Sequence, residues 1–450
     1  MTKTAVEFVQ CVIPDDPVRR RAALVDIVLR HCLHILLPNK PSPTTQQNCV
    51  RAHVRNGPGA HVANGEAVGA DQLCVDRLSG GITNELFHVY HPAHKAHSVV
   101  VRVFGKETER VISRESELFY QSIFIPTYVR GINFLVYEFL NLHEALPFTE
   151  MPVEQAKIAH ELASFQVRAT LEARSDHHKP VLSSEERMYW DSVGPTLGGG
   201  AAFGVCRFDC EENYTIHALT KWVDQMLSDG ILRKMNAERR EKYLGTARQL
   251  KREAAWMCEL LLRHAAELSE SVCHNDLLSA NIMRHTKSGF LRIIDFDYVK
   301  RNYLLFDIAN HFNEYTGLEC DYDRYFPSDN AMMRFIAVYR QTLRAELQGH
   351  RDEASRRQLD DIIPGQERLF MCGAQTESGQ YEDDEEQEQR TIEHWVRLVK
   401  LLTLASHLSW SIWALLQEAV STLEVDFFEY ARLRLARYLA TRDAFSAEFV

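Results

Sequence analysis

Apolar residues recur at helical spacing over residues 17 to 37, where Leu24, Ile27, Val28, Cys32, Ile35 and Leu36 share one face. That stripe predicts an amphipathic helix, and Pro38 ends it. Residues 38 to 70 hold Pro, Asn, Gly, Thr and Gln with few large apolar groups, the composition of a loop that lacks a core of its own. From Leu73 the pattern shortens to that of strands. Residues 73 to 79 and 85 to 91 read as a hairpin around Gly80-Gly81-Ile82-Thr83-Asn84, and the β-branched run Ser98 to Phe104 as a third strand. A helix over 108 to 124 and a strand over 132 to 140 complete a compact α+β lobe. Beyond Asn141 helical periodicity dominates, over 153–173, 217–228, 237–268, 328–347, 391–418 and 427–445. A strand near 290 to 295 is an island in that half. The chain therefore divides into an N-terminal helix and variable loop (1–70), a small sheet-rich lobe (71–140) and a large helical lobe (141–450). A cleft between two such lobes is a usual place for a nucleotide.

Composition removes some function classes. The net charge of −11 gives no basis for nucleic-acid binding. Part of it is local, in the run Glu382 to Glu386 with Glu388, so 371–390 reads as a mobile acidic insertion between helices. Ten cysteines form no C-x-x-C pair and the histidines lack ligand spacing, as expected of reduced thiols in a cytoplasmic protein. Residues 401 to 414 are apolar but short and contain His407, Ser409 and Ser411. They read as a buried helix rather than a membrane span, so no membrane insertion is expected.

Chemistry concentrates in residues 272 to 315. Asp276 lies in His274-x-Asp276-x-x-x-x-Asn281, and Asp295 ends an apolar run after a turn through Lys287-Ser288-Gly289. Two carboxylates and an amide in this order suit phosphoryl transfer, with Asp276 accepting a hydroxyl proton and Asn281 and Asp295 holding magnesium against nucleotide phosphates. Gly80, Gly81, Thr83 and Asn84 offer a phosphate close backbone approach and polar donors, although an ordinary hairpin turn is an equal alternative. Arg102, a charge within a β-branched strand, either reaches phosphate with Glu117 as its partner (Glu115 the next choice) or points to solvent from an open sheet face. Glu138 marks a connector whose backbone is placed for adenine. Asp307 reads as structural, bonding the catalytic loop. Trp410 and Trp413, three apart on a helix, form either core or, with Tyr298 and Tyr430, an aromatic cage for an ammonium group near Glu314.

Taken together, Gly80 to Asn84, Val101-Arg-Val-Phe-Gly105, His274-Asn-Asp-Leu-Leu278 with Asn281, Ile294-Asp-Phe-Asp-Tyr298, Phe306 to Glu314 and Leu404 to Trp413 resemble the choline/ethanolamine kinase family, over about Leu73 to Ala444. The resemblance implies a protein-kinase-like α+β fold of two lobes. It implies transfer of the ATP γ-phosphate to an amino alcohol, with ATP and Mg2+ required, as the first step of phospholipid head-group synthesis. By matching motif it makes Asp276 the base, Asn281 and Asp295 the magnesium ligands, and Arg102 a phosphate ligand. Tyr298, Glu314, Trp410, Trp413 and Tyr430 would line the amine pocket. Leu277-Leu278 leans toward ethanolamine, with choline or dual use as the alternative. Asp297 departs from the family's usual Glu. An aminoglycoside-type phosphotransferase is a more distant rival, and a pseudokinase that binds without turnover is the rival of another class. The resemblance permits a homodimer.

Overall fold

The computed structural model describes residues 6–37, 69–78, 84–105, 112, 114–174, 212–349, 384–421 and 425–450. The variable loop at 38–68, the glycine turn with Gly80, Gly81 and Thr83, and the acidic stretch as far as 383 lie outside them. The described residues fall into two compact units.

The first unit takes in residues 6–105 and 121–142 of those described. Its six-stranded sheet has the order β1-β5-β6-β4-β3-β2. The strands are β1 (Glu7–Phe8), β2 (Cys74–Leu78), β3 (Asn84–Tyr90), β4 (Ser98–Phe104), β5 (Thr127–Arg130) and β6 (Phe134–Glu138). All neighbours are antiparallel except β1 and β5. Side chains alternate across a strand, so Val99, Val101 and Val103 of β4 enter one core with Phe134 and Val136 of β6. Leu24, Val28, Cys32 and Leu36 close that core from the N-terminal segment. This corrects the division expected at residue 70. The helix Pro17–His31 and β1 are part of the sheet unit, not a separate N-terminal region. A strand two residues long falls below any periodic signal, which is why β1 was not visible in the pattern.

Arg102 lies on the other face of β4, opposite Leu86 and Leu135, and is buried. The solvent-pointing alternative is therefore excluded.

The second unit takes in residues 112–120, 143–174 and 212–450 of those described. Long helices build it: Met151–Arg174, Ala237–Arg263, Asp329–Gly349, Asp384–Val420 and Phe427–Ser446. The Asp384–Val420 helix is its axis, and the most apolar stretch of that helix is 94% buried in the protein. Small sheets are set among the helices. Strands β7 (His143–Ala145), β9 (Ile282–His285) and β10 (Leu291–Ile293) form one, and β8 (Glu270–Cys273) pairs with β11 (Lys300–Tyr303). The β9–β10 hairpin turns at Gly289, whose φ of +71° is open to glycine at no steric cost.

The acidic run expected to be a loop through residue 390 is helical from Asp384 onward. Its placement has a physical reason. Glu388 accepts from buried Arg340 at 2.9 and 3.0 Å and also from Arg344, and Arg340 lies over the Trp395 ring at 4.4 Å. These bonds join the Asp329–Gly349 and Asp384–Val420 helices. Against the cost of burial, the two guanidinium groups pull the Glu388 carboxyl down to about 2. A depressed carboxylate contributes stability that is fully present above its unfolded value near 4.5 and lost as pH falls through about 2. Glu388→Gln is therefore expected to lose about 2 kcal/mol at neutral pH. It should also flatten the acid limb of stability between pH 4.5 and 2, read from urea midpoints. An unchanged acid limb would refute the clasp.

Candidate active site

The site is built on the loop that leaves β8. Asn275 has φ +67°, a left-handed conformation that Asn tolerates better than most residues. Its side chain holds the turn, with Nδ2 donating to the Tyr298 carbonyl at 2.8 Å and Oδ1 accepting from Asn302 Nδ2 at 2.8 Å. Asp307, in the first turn of the helix Phe306–Glu314, grips the same loop. Its Oδ2 accepts from His274 N at 2.7 Å and Gln166 Nε2 at 2.9 Å, and its Oδ1 from Asn275 N at 2.7 Å. Burial raises the Asp307 pKa, and these donors oppose the rise. The structural role expected of Asp307 is what the structure shows.

His274 then ties the loop to the strand before Asp295. Its Nδ1 accepts from Asp276 N at 3.3 Å, so Nε2 carries the proton donated to the Ile294 carbonyl at 3.0 Å. Asn281 makes the second tie. Its Nδ2 donates to the Asp276 carbonyl at 2.8 Å and to Asp276 Oδ2 at 3.2 Å, while its own carbonyl accepts from Ile294 N at 2.9 Å. Asp295 follows with φ +65°. A non-glycine residue in that region costs about 1 to 3 kcal/mol and persists where its surroundings fix it, commonly at a functional site.

The electrostatics confirm that the acids share one locality. Burial pushes the Asp276 carboxyl up, and Glu314, Asp295 and Asp297 push it further, in that order. Its hydrogen bond from Asn281 opposes them. Acids thus outnumber bases around Asp276, although Arg434 pairs with Glu314 at 2.8 Å and Arg114 lies 3.9 Å from Asp297, and such a carboxylate cluster suits a cation. His311 donates from Nδ1 to the Leu277 carbonyl at 2.9 Å, and burial holds it neutral, its pKa lowered to about 4.

Aromatic rings adjoin the acids. Tyr298 lies edge-on to Trp410 at 5.3 Å, Trp410 to Trp413 at 5.3 Å, and the Tyr298 hydroxyl accepts from Trp413 Nε1 at 2.8 Å. Tyr430 and Glu314 are joined through Arg434, whose Nη1 donates to Glu314 Oε1 at 2.8 Å and to the Tyr430 hydroxyl at 3.3 Å. The structure thus brings Asp276, Asn281, Asp295, Tyr298 and Glu314 together, with Trp410 and Trp413 against Tyr298 and Tyr430 beside Glu314.

Other expected positions divide differently. Glu117 is bonded to Arg114 Nη1 at 2.6 Å, and that nitrogen lies 3.9 Å from Asp297. Arg102 and Glu117 fall in separate units, so their pairing remains an expectation from the sequence. Asn84 accepts from Gly105 N at 3.4 Å and braces the start of β3. At Glu138 the backbone N–H donates to the Pro126 carbonyl, and that of Phe139 to Ser98. Among the described residues no backbone bond from Leu140 N–H accompanies these. Sequence reasoning missed Arg434 and Tyr214. Arg434 had a weak signal, an arginine four residues after Tyr430 and so on its helical face, in a helix with three other arginines. Tyr214, edge-on to Tyr298 at 6.5 Å, had none.

In comparison with known proteins, a family model described as choline/ethanolamine kinase matches residues 75–439. The chain belongs to the choline/ethanolamine kinase family. Human ethanolamine kinase 2 is 26% identical over 395 residues, covering 84% of this chain and 78% of the human protein. A probable ethanolamine kinase of Arabidopsis thaliana is 29% identical over 374 residues, covering 81% and 78%. Among solved structures, a choline kinase of Cryptosporidium parvum aligns with a TM-score of 0.52 at 19% identity, covering 85% of this chain and 92% of its own. A Plasmodium vivax ethanolamine kinase aligns at 0.51 and 21%, covering 83% and 84%. These likenesses show the shared protein-kinase-like fold. As a choline/ethanolamine kinase, the chain is an ATP-dependent enzyme acting on a small amino alcohol. The family match takes in every site residue named above, whereas the helix Pro17–His31 and β1 precede it.

Proposed function

We propose that this choline/ethanolamine kinase transfers the ATP γ-phosphate to ethanolamine in the cytoplasm, giving phosphoethanolamine for phosphatidylethanolamine synthesis by the CDP-ethanolamine route. What supports the substrate reading is a second carboxylate, Glu314, held by Arg434 at 2.8 Å and near enough to Asp276 to raise its pKa. One carboxylate takes the hydroxyl end of an amino alcohol, and the other takes the ammonium end beside Tyr298, Trp410 and Trp413. The names of the curated relatives support ethanolamine in particular.

The donor set fits magnesium. The Asn281 amide nitrogen is committed to Asp276, which leaves its oxygen, with the Asp295 carboxylate, as hard donors. Magnesium takes one or two such protein ligands and completes its shell with phosphates and water. When bound, the metal neutralises phosphate charge. In the proposed reaction the ethanolamine oxygen bonds to the γ-phosphorus, the bond from that phosphorus to the β–γ bridging oxygen breaks, and the hydroxyl proton passes to Asp276. Arg102 and Asn84, with the glycine turn, bind the nucleotide phosphates, and the connector after Glu138 meets adenine through its backbone. Positioning and charge supply most of the acceleration.

A primary ammonium gains from hydrogen-bond acceptors as well as aromatic faces, whereas a quaternary one uses only the faces and a nearby charge. A coupled assay with ethanolamine, its mono- and dimethyl derivatives and choline tests this. The kcat/KM should fall stepwise with methylation, about tenfold in all. Choline turning over faster than ethanolamine would overturn the substrate, and turnover of none would overturn the activity.

A further inference from the structure

We infer that Arg434 is a positioning residue that orients Glu314 and makes the site favour a primary over a quaternary ammonium. The inference rests on the reading that Glu314 meets the substrate ammonium.

Arg434 sits on the helix Phe427–Ser446 with its side chain 1% exposed. A guanidinium so buried depends on partners for its donors, and here both terminal nitrogens have them while Nε has none among the described residues. Nη1 donates to Glu314 Oε1 at 2.8 Å and to the Tyr430 hydroxyl at 3.3 Å, and Nη2 donates to Ser406 Oγ at 2.9 Å. Ser406 is itself fixed, accepting from Asn313 Nδ2 at 3.0 Å and donating to Asn310 Oδ1 at 2.9 Å. The guanidinium is thus locked to helices Phe306–Glu314, Asp384–Val420 and Phe427–Ser446 at once.

Only one oxygen of Glu314 is taken. Among the described residues Oε2 has no hydrogen-bond partner, and the carboxylate is the leading charge felt by Asp276. Arg434 therefore does two things. It fixes the direction of Oε2, and it cancels part of the Glu314 charge. A primary ammonium donates a directed N–H bond to Oε2 and gains from the fixed direction. A quaternary ammonium has no N–H, responds only to net charge, and loses from the cancellation. The two substrates are affected in opposite senses.

Steady-state kinetics of the full chain with ethanolamine and choline test this. Arg434→Gln should raise the ethanolamine KM about tenfold, the value of one oriented charge-assisted bond. The choline KM should stay the same or fall, with the effect in KM more than in kcat. Arg434→Lys keeps the charge but not the fork, and should raise the ethanolamine KM about threefold. An equal rise for both substrates in Arg434→Gln, the mark of a merely structural role, would overturn the inference. If that variant does not fold, Arg434→Lys decides, and an unchanged ratio of the two KM values there overturns it. Glu314→Gln separates the underlying reading. An ethanolamine KM unmoved by that change removes Glu314 from the amine pocket, whatever Arg434 does.

Discussion

Asp276→Asn should lower kcat by about a thousandfold or more while leaving the fold intact. The reasoning is local. The change keeps the shape of the side chain and an oxygen to accept from Asn281 Nδ2, but it removes the basicity that takes the hydroxyl proton. It also removes one of the carboxyls crowded with Glu314, Asp295 and Asp297, so the urea midpoint should match or exceed that of the parent. Turnover and denaturation are measured on the same preparation. Near-normal turnover would remove Asp276 as the base, and a large fall in midpoint would show that its carboxylate is structural instead.

Asp307→Asn should be nearly as damaging for a different reason. Asp307 touches no substrate in the proposed reaction, yet both its oxygens face N–H donors from His274, Asn275 and Gln166. An amide must turn its NH2 toward one of these sets, putting donor against donor in a buried place. The expected cost is about 3 kcal/mol of stability. The loop that aims Asp276 should lose register as well, with kcat down about a hundredfold. Stability and turnover both within a factor of two of the parent would show that the loop is held by other means.

The clustering of Asp276, Asn281 and Asp295 was legible in the sequence because these residues lie close together in the chain. Asp276, Asn281 and Asp295 fall within one loop and one hairpin, and a hairpin returns its strands side by side. Asp307 was legible as a carboxylate among apolar neighbours, a group that burial obliges to find donors. The aromatic end of the candidate site was less so. Trp410 and Trp413 could be placed on one helical face, but not against Tyr298, because helix-to-helix docking leaves no short-range pattern. Arg434 was passed over since an arginine on a helix is usually solvated, and only burial shows otherwise. In the fold, the helix Pro17–His31 was clear from its stripe, while its place in the sheet unit depended on β1, two residues long. The helical start at Asp384 was hidden by composition, since a run of acids has no apolar stripe and is ordered here by Arg340 and Arg344.

The spacing of these ties along the chain also bears on the order in which the protein assembles. The His274–Asp307 bond of the Asp276 loop spans 33 residues and the Asn281–Asp276 bond 5, while Gln166, 141 residues before Asp307, has already been made when Asp307 emerges. The Glu314–Arg434 pair closes a span of 120 residues, and the Trp413–Tyr298 bond one of 115. Closing a longer loop costs more chain entropy and delays the contacts that depend on it. During synthesis the loop around Asp276 has its own partners as soon as the helix Phe306–Glu314 emerges. The ties of Glu314 to Arg434 and of Tyr298 to Trp413 must wait for the last two described helices, so the acidic loop is held before the aromatic side of the site is closed.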